Sequence, residues 1–189
     1  MSVDQDKVEY YAPGAPTDLP SRNTIAQHCA SAQAGYSQNG ISFEVGGIPR
    51  FWIKYGFVRG ITLGEALTQD QVAKIVNADP ASASVVRVPE VYLVFLRHVC
   101  RYIVMQHVAG DTVESRWLST GKSYREGASD LAGVVAAVKR LISICVPSDT
   151  RPGHVGGGPI GHSIFYECMS SCEYPTVHHL EAQINNVCF

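Results

Sequence analysis

The sequence predicts an α+β fold, a small antiparallel sheet followed by helices. Three observations carry that expectation. Two pairs of short segments rich in aromatic and β-branched residues, 41–45 with 51–55 and 88–95 with 101–105, read as β-hairpins. A helix-period segment opening at Thr62 separates them. After Gly110 the strand pattern stops and only helical periodicity remains.

The elements follow in order. Residues 1–20 carry Pro13, Pro16 and Pro20 and read as an irregular leader. Ser21 or Asn23 caps a helix over about Thr24–Ala34. Ile41, Phe43 and Val45 alternate with Ser42 and Glu44, the period of a half-buried strand. Gly46-Gly47 is a hairpin turn signal, and Phe51–Tyr55 is the returning strand. Thr62 and Glu65 form a capping-box pattern, with Ala66, Val72, Ala73, Ile75 and Val76 on one helix side to about Asn77. Asp79-Pro80 to Ser84 reads as a loop. Val88–Phe95 and Arg101–Met105 give the second hairpin, with Pro89 at a strand start where its missing N–H matters least. Thr112–Leu118 and Tyr124–Ile144 are helical, Pro147–Pro159 is a glycine- and proline-rich loop, and Thr176–Val187 is a last helix.

Composition bounds the function. The 189 residues are 46% hydrophobic and 17% charged, enough for one sizeable core. A net charge of -2 with no basic run speaks against nucleic-acid and acidic-lipid partners. No apolar run suits a signal peptide or a membrane span, so the expected location is the cytoplasm. The six scattered cysteines then read as free thiols.

The chemistry-bearing pair is Lys54 and Glu65. Lys54 stands mid-strand between Ile53 and Tyr55, and alternation puts it on the opposite face from both. Glu65 opens the next helix. An ammonium held by a helix carboxylate is a device for neutralising nucleotide phosphates. The same spacing also suits an exposed strand lysine and a capping glutamate.

The wider sequence adds to this. The strings FWIKYG, ITLGEA, VRVPEVYLVF, YIVMQHVAGDTVESRW and GGGPIGHSIF, in this order, resemble the fungal branch of the aminoglycoside phosphotransferase and choline-kinase-like family. The resemblance covers about residues 41–187. It implies a protein-kinase-like amino-terminal lobe over 21–105, a hinge over 106–110 and part of a second lobe over 111–189. The implied activity is transfer of the ATP γ-phosphate to a small-molecule hydroxyl. Lys54 then matches the phosphate-binding lysine and Glu65 its helix partner. Met105 matches the residue behind the adenine pocket. Gln106 and Val108 match the hinge positions whose main chain meets adenine, with His107 a surface residue between them. Gln106 departs from the acidic residue common there, which a main-chain contact tolerates. The implied ligand is ATP. Gly35–Gly40 is the better place for a nucleotide loop, and Gly46-Gly47 a structural turn.

What the family needs downstream is absent from the sequence. Its aspartates orient the acceptor and hold magnesium. After Gly110 only Asp111, Asp130 and Asp149 occur, none followed by asparagine at the family's spacing, and no His-x-Asp occurs. The expectation is therefore a kinase-like chain with no catalytic residue of its own, no magnesium held by it alone and an unidentified acceptor. The alternative is a non-catalytic binding or regulatory module. The helix bearing Val134, Val138 and Leu141 should expose apolar surface and favour self-association.

Other motifs carry less. Gly121-Lys122-Ser123 ends like a phosphate loop, but Arg116 stands where its first glycine belongs. Cys168 and Cys172 with His178 and His179 have zinc-ligand chemistry at a loose spacing, and free thiols with a helix-start histidine pair fit as well. Gly156–Gly158 reads as a linker rather than an anion cradle.

Overall fold

Alternating and continuous apolar runs build a five-stranded antiparallel sheet in the computed structural model, which describes residues 6–32, 40–121, 128–147, 149–165 and 168–187. The strands are β1 (Lys7–Tyr11), β2 (Ile41–Val45), β3 (Ile48–Phe57), β4 (Val91–Arg97) and β5 (Cys100–Gln106). Their order across the sheet is β1-β4-β5-β3-β2. The helices are α1 (Arg22–Ser31), α2 (Leu63–Ala78), α3 (Pro80–Ala83), α4 (Val113–Thr120), α5 (Ala128–Ile142) and α6 (Val177–Val187).

Both faces of the sheet are covered. On one, Phe51, Ile53, Leu93, Phe95, Tyr102 and Val104 pack against Ile25, Ala26 and Cys29 of α1. On the other, Val91, Val94, Ile103 and Met105 pack against Ile61 and Ala66. Two covered faces explain why β4 reads as an unbroken apolar run, since no position from Val91 to Phe95 meets water. A bulge in β4 resolves its phase. Val91 pairs with Met105 and Leu93 with Val104, leaving Tyr92 as the extra residue. Val91 and Val94 thus share the α2 face, three residues apart.

Local signals set the ends. Gly46 and Gly47 have φ of 62° and 81°, the positive values a two-residue hairpin turn needs. Ser21 caps α1, its hydroxyl accepting from the Thr24 N–H at 3.2 Å. Thr62 caps α2 in the same way, accepting from the Glu65 N–H at 3.0 Å.

Three expectations need correction. Residues 1–20 are not irregular throughout, because 7–11 form β1 on the outer edge of β4. Two charged clusters fix it there. Asp6 accepts from Arg97 at 2.6 and 2.8 Å, and Glu9 accepts from Arg101 at 2.6 Å. The segment after α2 is not a loop. Asp79 caps the single turn α3, with Pro80 at its first position where the absent N–H costs nothing. Val88 and Pro89 precede β4 rather than begin it.

Beyond β5 the regular elements among the described residues are the helices α4, α5 and α6, with one isolated bridge between Gly161 and Met169. The Trp117 indole donates to Asp130 at 3.2 Å, joining α4 to α5. Arg140 donates to Ser82 at 2.5 Å, joining α5 to α3. The apolar stripe of α5 is open, with Val134, Val135 and Val138 all 44–49% exposed and Ile142 77%. Tyr124 to Glu126, where the sequence starts this helix, lie outside the described residues. No described helix is long and apolar enough to cross a membrane.

The Asp6 contacts carry a pH dependence. Hydrogen bonds from Arg97 hold the Asp6 carboxyl below its usual range, with Arg97 and Arg22 charge adding to them against burial. A depressed folded pKa stabilises the fold above the unfolded pKa, and that contribution is lost as pH falls through the folded value. Stability should therefore decline below about pH 4. Urea midpoints at neutral and acid pH should fall less in Asp6→Asn than in the parent chain; equal falls would remove Asp6 from the account.

Candidate functional site

Strand alternation and one helix cap place the two charged residues together. Ile53 points into the α1 core, so Lys54 points to the α2 face, opposite Ile103 of β5. Glu65 is held in the first turn of α2 by the Thr62 cap. Lys54 Nζ donates to Glu65 Oε1, with the side chains 26% and 34% exposed. The pair bridges β3, the neighbour of edge strand β2, to the start of α2.

Met105 lies on the same sheet face, paired with Trp52 and only 7% exposed. Gln69 of α2 donates to the Pro89 carbonyl at 2.9 Å and lies 3.4 Å from Met105 Sδ. These contacts tie α2 to the approach to β4 and the end of β5. Gln106 pairs with Phe51 and its side chain is exposed; its N–H donates to the Glu90 carbonyl at 2.8 Å. The His107 N–H donates to the Arg50 carbonyl at 3.3 Å, and Val108 is 61% exposed. Lys54, Glu65 and Met105 thus share one face, while Gln106 and Val108 lie at its rim.

Of Gly35–Gly40, only Gly40 falls among the described residues. A Cβ there would lie 2.5 Å from Trp52 Nε1, so the indole packs on the Gly40 backbone. Lys122 and Ser123 of the phosphate-loop-like string lie outside the described residues, as does Cys188. Cys29, Cys100, Cys145, Cys168 and Cys172 are free thiols. Burial pushes the Cys29 thiol up to about 12, which makes it inert. No group of three or more metal-ligating side chains converges among the described residues.

Two features escape the sequence. The first is a loop docked on α2. His154 lies against Gly64, where a Cβ would collide with its ring. The Val155 N–H donates to Thr68 at 3.0 Å, and Gly156 abuts Leu67. The signal available was Gly64, a glycine in a helix first turn, which marks close approach of another segment. The second is a cavity of about 490 Å³ between α2, the residues after β1 and the start of β4. Neither Lys54 nor Glu65 lines it. No family model, curated protein or solved structure matches this chain.

Proposed function

We propose that this chain is the nucleotide-holding half of an aminoglycoside-phosphotransferase-like protein, binding ATP phosphates through Lys54 and not turning ATP over by itself. The observation that supports it most is the Lys54–Glu65 ion pair between β3 and the first turn of α2. A carboxylate beside the lysine keeps its ammonium charged and aimed, which is what a phosphate oxygen requires. Met105 closes the apolar end of the same face, and Gln106 and Val108 offer main chain at its rim. The second half of the chemistry has no candidate. Asp130 is committed to Arg116 and Trp117, and no aspartate after Gly110 has the asparagine partner that magnesium binding calls for in this family.

ATP should raise the melting temperature of the parent chain, and Lys54→Ala should remove that rise, since a tenfold loss of affinity corresponds to about 1.4 kcal/mol. No rise in the parent chain sinks the reading. ATP consumption with a panel of aminoalcohols and aminoglycosides should stay at background. Turnover abolished by Lys54→Ala would show that the chain is catalytic after all.

A second reading is favoured by one observation. The open stripe of Val134, Val135, Val138 and Ile142 on α5 suits a non-catalytic binding or regulatory module that associates through that helix, including with itself.

A further inference from the structure

The start of α2 is gripped from two sides, and only one of them is the sheet. We propose that residues 153–158 are a strap that positions Glu65 against Lys54, and that releasing the strap frees the lysine. The proposal rests on reading that ion pair as the working part of the site. Successive helix residues are turned by about 100°, so α2 carries two stripes on opposite sides. The inner stripe is Ala66, Gln69, Ala73 and Val76. Its three apolar members are at most 3% exposed, and Gln69 holds the Pro89 carbonyl at 2.9 Å. The outer stripe is Gly64, Leu67 and Thr68, and each of them meets the strap. A Cβ at Gly64 would collide with the His154 side chain, and one at Gly156 would lie 2.9 Å from Leu67 Cδ1. The Val155 N–H donates to Thr68 Oγ1 at 3.0 Å. Glu65 projects between the two stripes, beside Gly64 in the same turn.

The two grips differ in strength. The inner one is core burial. The outer one is a single hydrogen bond and close packing on a glycine, which opens at lower cost. The strap keeps its shape through its own contacts. The Gly157 N–H donates to the His154 carbonyl at 3.0 Å, closing a turn. Its far end is tied down at Ile160, whose N–H donates to the buried Ser170 hydroxyl at 2.7 Å and whose carbonyl accepts from the Ser170 N–H at 2.9 Å. Gly153, Gly156, Gly157 and Gly158 have φ of 124°, 89°, 79° and 103°, a path that side chains rarely follow. A segment so shaped reaches Gly64 closely and can leave it without unfolding the sheet. With the strap in place the first turn cannot move outward, and Glu65 stays on the lysine. With it gone, the turn and its carboxylate gain room to swing away.

Two readouts on the full chain test this: amide exchange, and acylation of Lys54 by an N-hydroxysuccinimide ester, with Lys74 as the internal reference. A lysine held by a carboxylate stays charged and acylates slowly, since the neutral amine is the nucleophile. Alanine for glycine in an unobstructed helix slows exchange, because it removes backbone freedom from the unfolded chain. Gly64→Ala should do the reverse here. Exchange over 63–68 and at the Val155 amide should quicken about tenfold, with Ala73–Val76 unchanged, the loss expected of one opened contact. Lys54 acylation should quicken with it, towards the rate of Glu65→Gln. Thr68→Val, which removes the acceptor and keeps the shape, should act in the same direction, and Thr68→Ser should restore the parent rates. Slower exchange in Gly64→Ala overturns the strap. Quicker exchange with an unchanged Lys54 rate overturns its positioning role. A Lys54 rate that Glu65→Gln leaves unchanged overturns the proposal together with the pair. Labelling uses no nucleotide, so failure of the parent chain to bind ATP would remove the phosphate reading alone.

Discussion

Replacing Arg101 by methionine is expected to cost the fold about 3–5 kcal/mol, the usual effect of removing one member of a buried ion pair. Arg101 and Glu9 are 12% and 8% exposed, so the remaining carboxylate would stay in the interior without its partner. More than one contact is lost. The same guanidinium donates to the Ile61 carbonyl at 2.5 Å and the Val58 carbonyl at 3.3 Å, holding the connection from β3 to α2. The loss would therefore fall on β1 and on the entry to α2 together. Urea denaturation of Arg101→Met measures it. The double variant Glu9→Leu with Arg101→Met should recover part of the loss, since no charge is then stranded. A single-variant effect below about 1 kcal/mol, the range of a surface pair, would contradict this assignment.

Phe95→Ala should be as damaging, by about 3–5 kcal/mol, for a different reason. Phe95 is fully buried at the centre of β4 and stacks on Tyr102, its ring centroid 4.7 Å away at an interplanar angle of 3°. Tyr102 in turn stacks on Tyr55 at 5.9 Å, and the Tyr55 hydroxyl donates to the Cys29 carbonyl of α1 at 3.3 Å. A cross-strand aromatic ladder thus ties β4, β5 and β3 to the helix above them. Removing its end opens a cavity beside Tyr102. That side chain carries its own readout, because burial pushes its hydroxyl up to about 12. Water admitted by the smaller side chain should bring it back towards about 10. Denaturant midpoints and ultraviolet titration of the tyrosines check the two effects separately. A stability loss below about 1.5 kcal/mol would mean that the ladder collapses into the gap without cost, contrary to its close packing.

The parts of the fold legible in the sequence are the local ones. The β2–β3 hairpin announces itself through alternation and a Gly-Gly turn, and α2 through Thr62. Lys54 and Glu65 were readable for the same reason, being 11 residues apart on adjoining elements. β1 was not. Lys7–Tyr11 is five residues long, is followed closely by Pro13, Pro16 and Pro20, and pairs with a strand more than eighty residues on. Nothing near it in sequence hints at that partner. The Glu9–Arg101 contact spans 92 residues and has the same difficulty. Asp79-Pro80 was misread because the pair that breaks one helix also starts another. The docking of 154–156 on α2 depends on an unspaced, glycine-rich stretch whose path only the folded chain shows.

The bulges have a consequence for chain length. In β1, Val8 pairs with Phe95 and Tyr10 with Val94, so Glu9 is the supernumerary residue, as Tyr92 is in β4. Excising either one would leave every neighbour on its present face and restore plain alternation. A relative one residue shorter at either point could keep the same sheet. It would forgo the partner of Arg101 in the first case and the ring that packs edge-on against Phe51 in the second. Gaps at these two columns, rather than substitutions, are where such a lineage would record the gain or loss of those features.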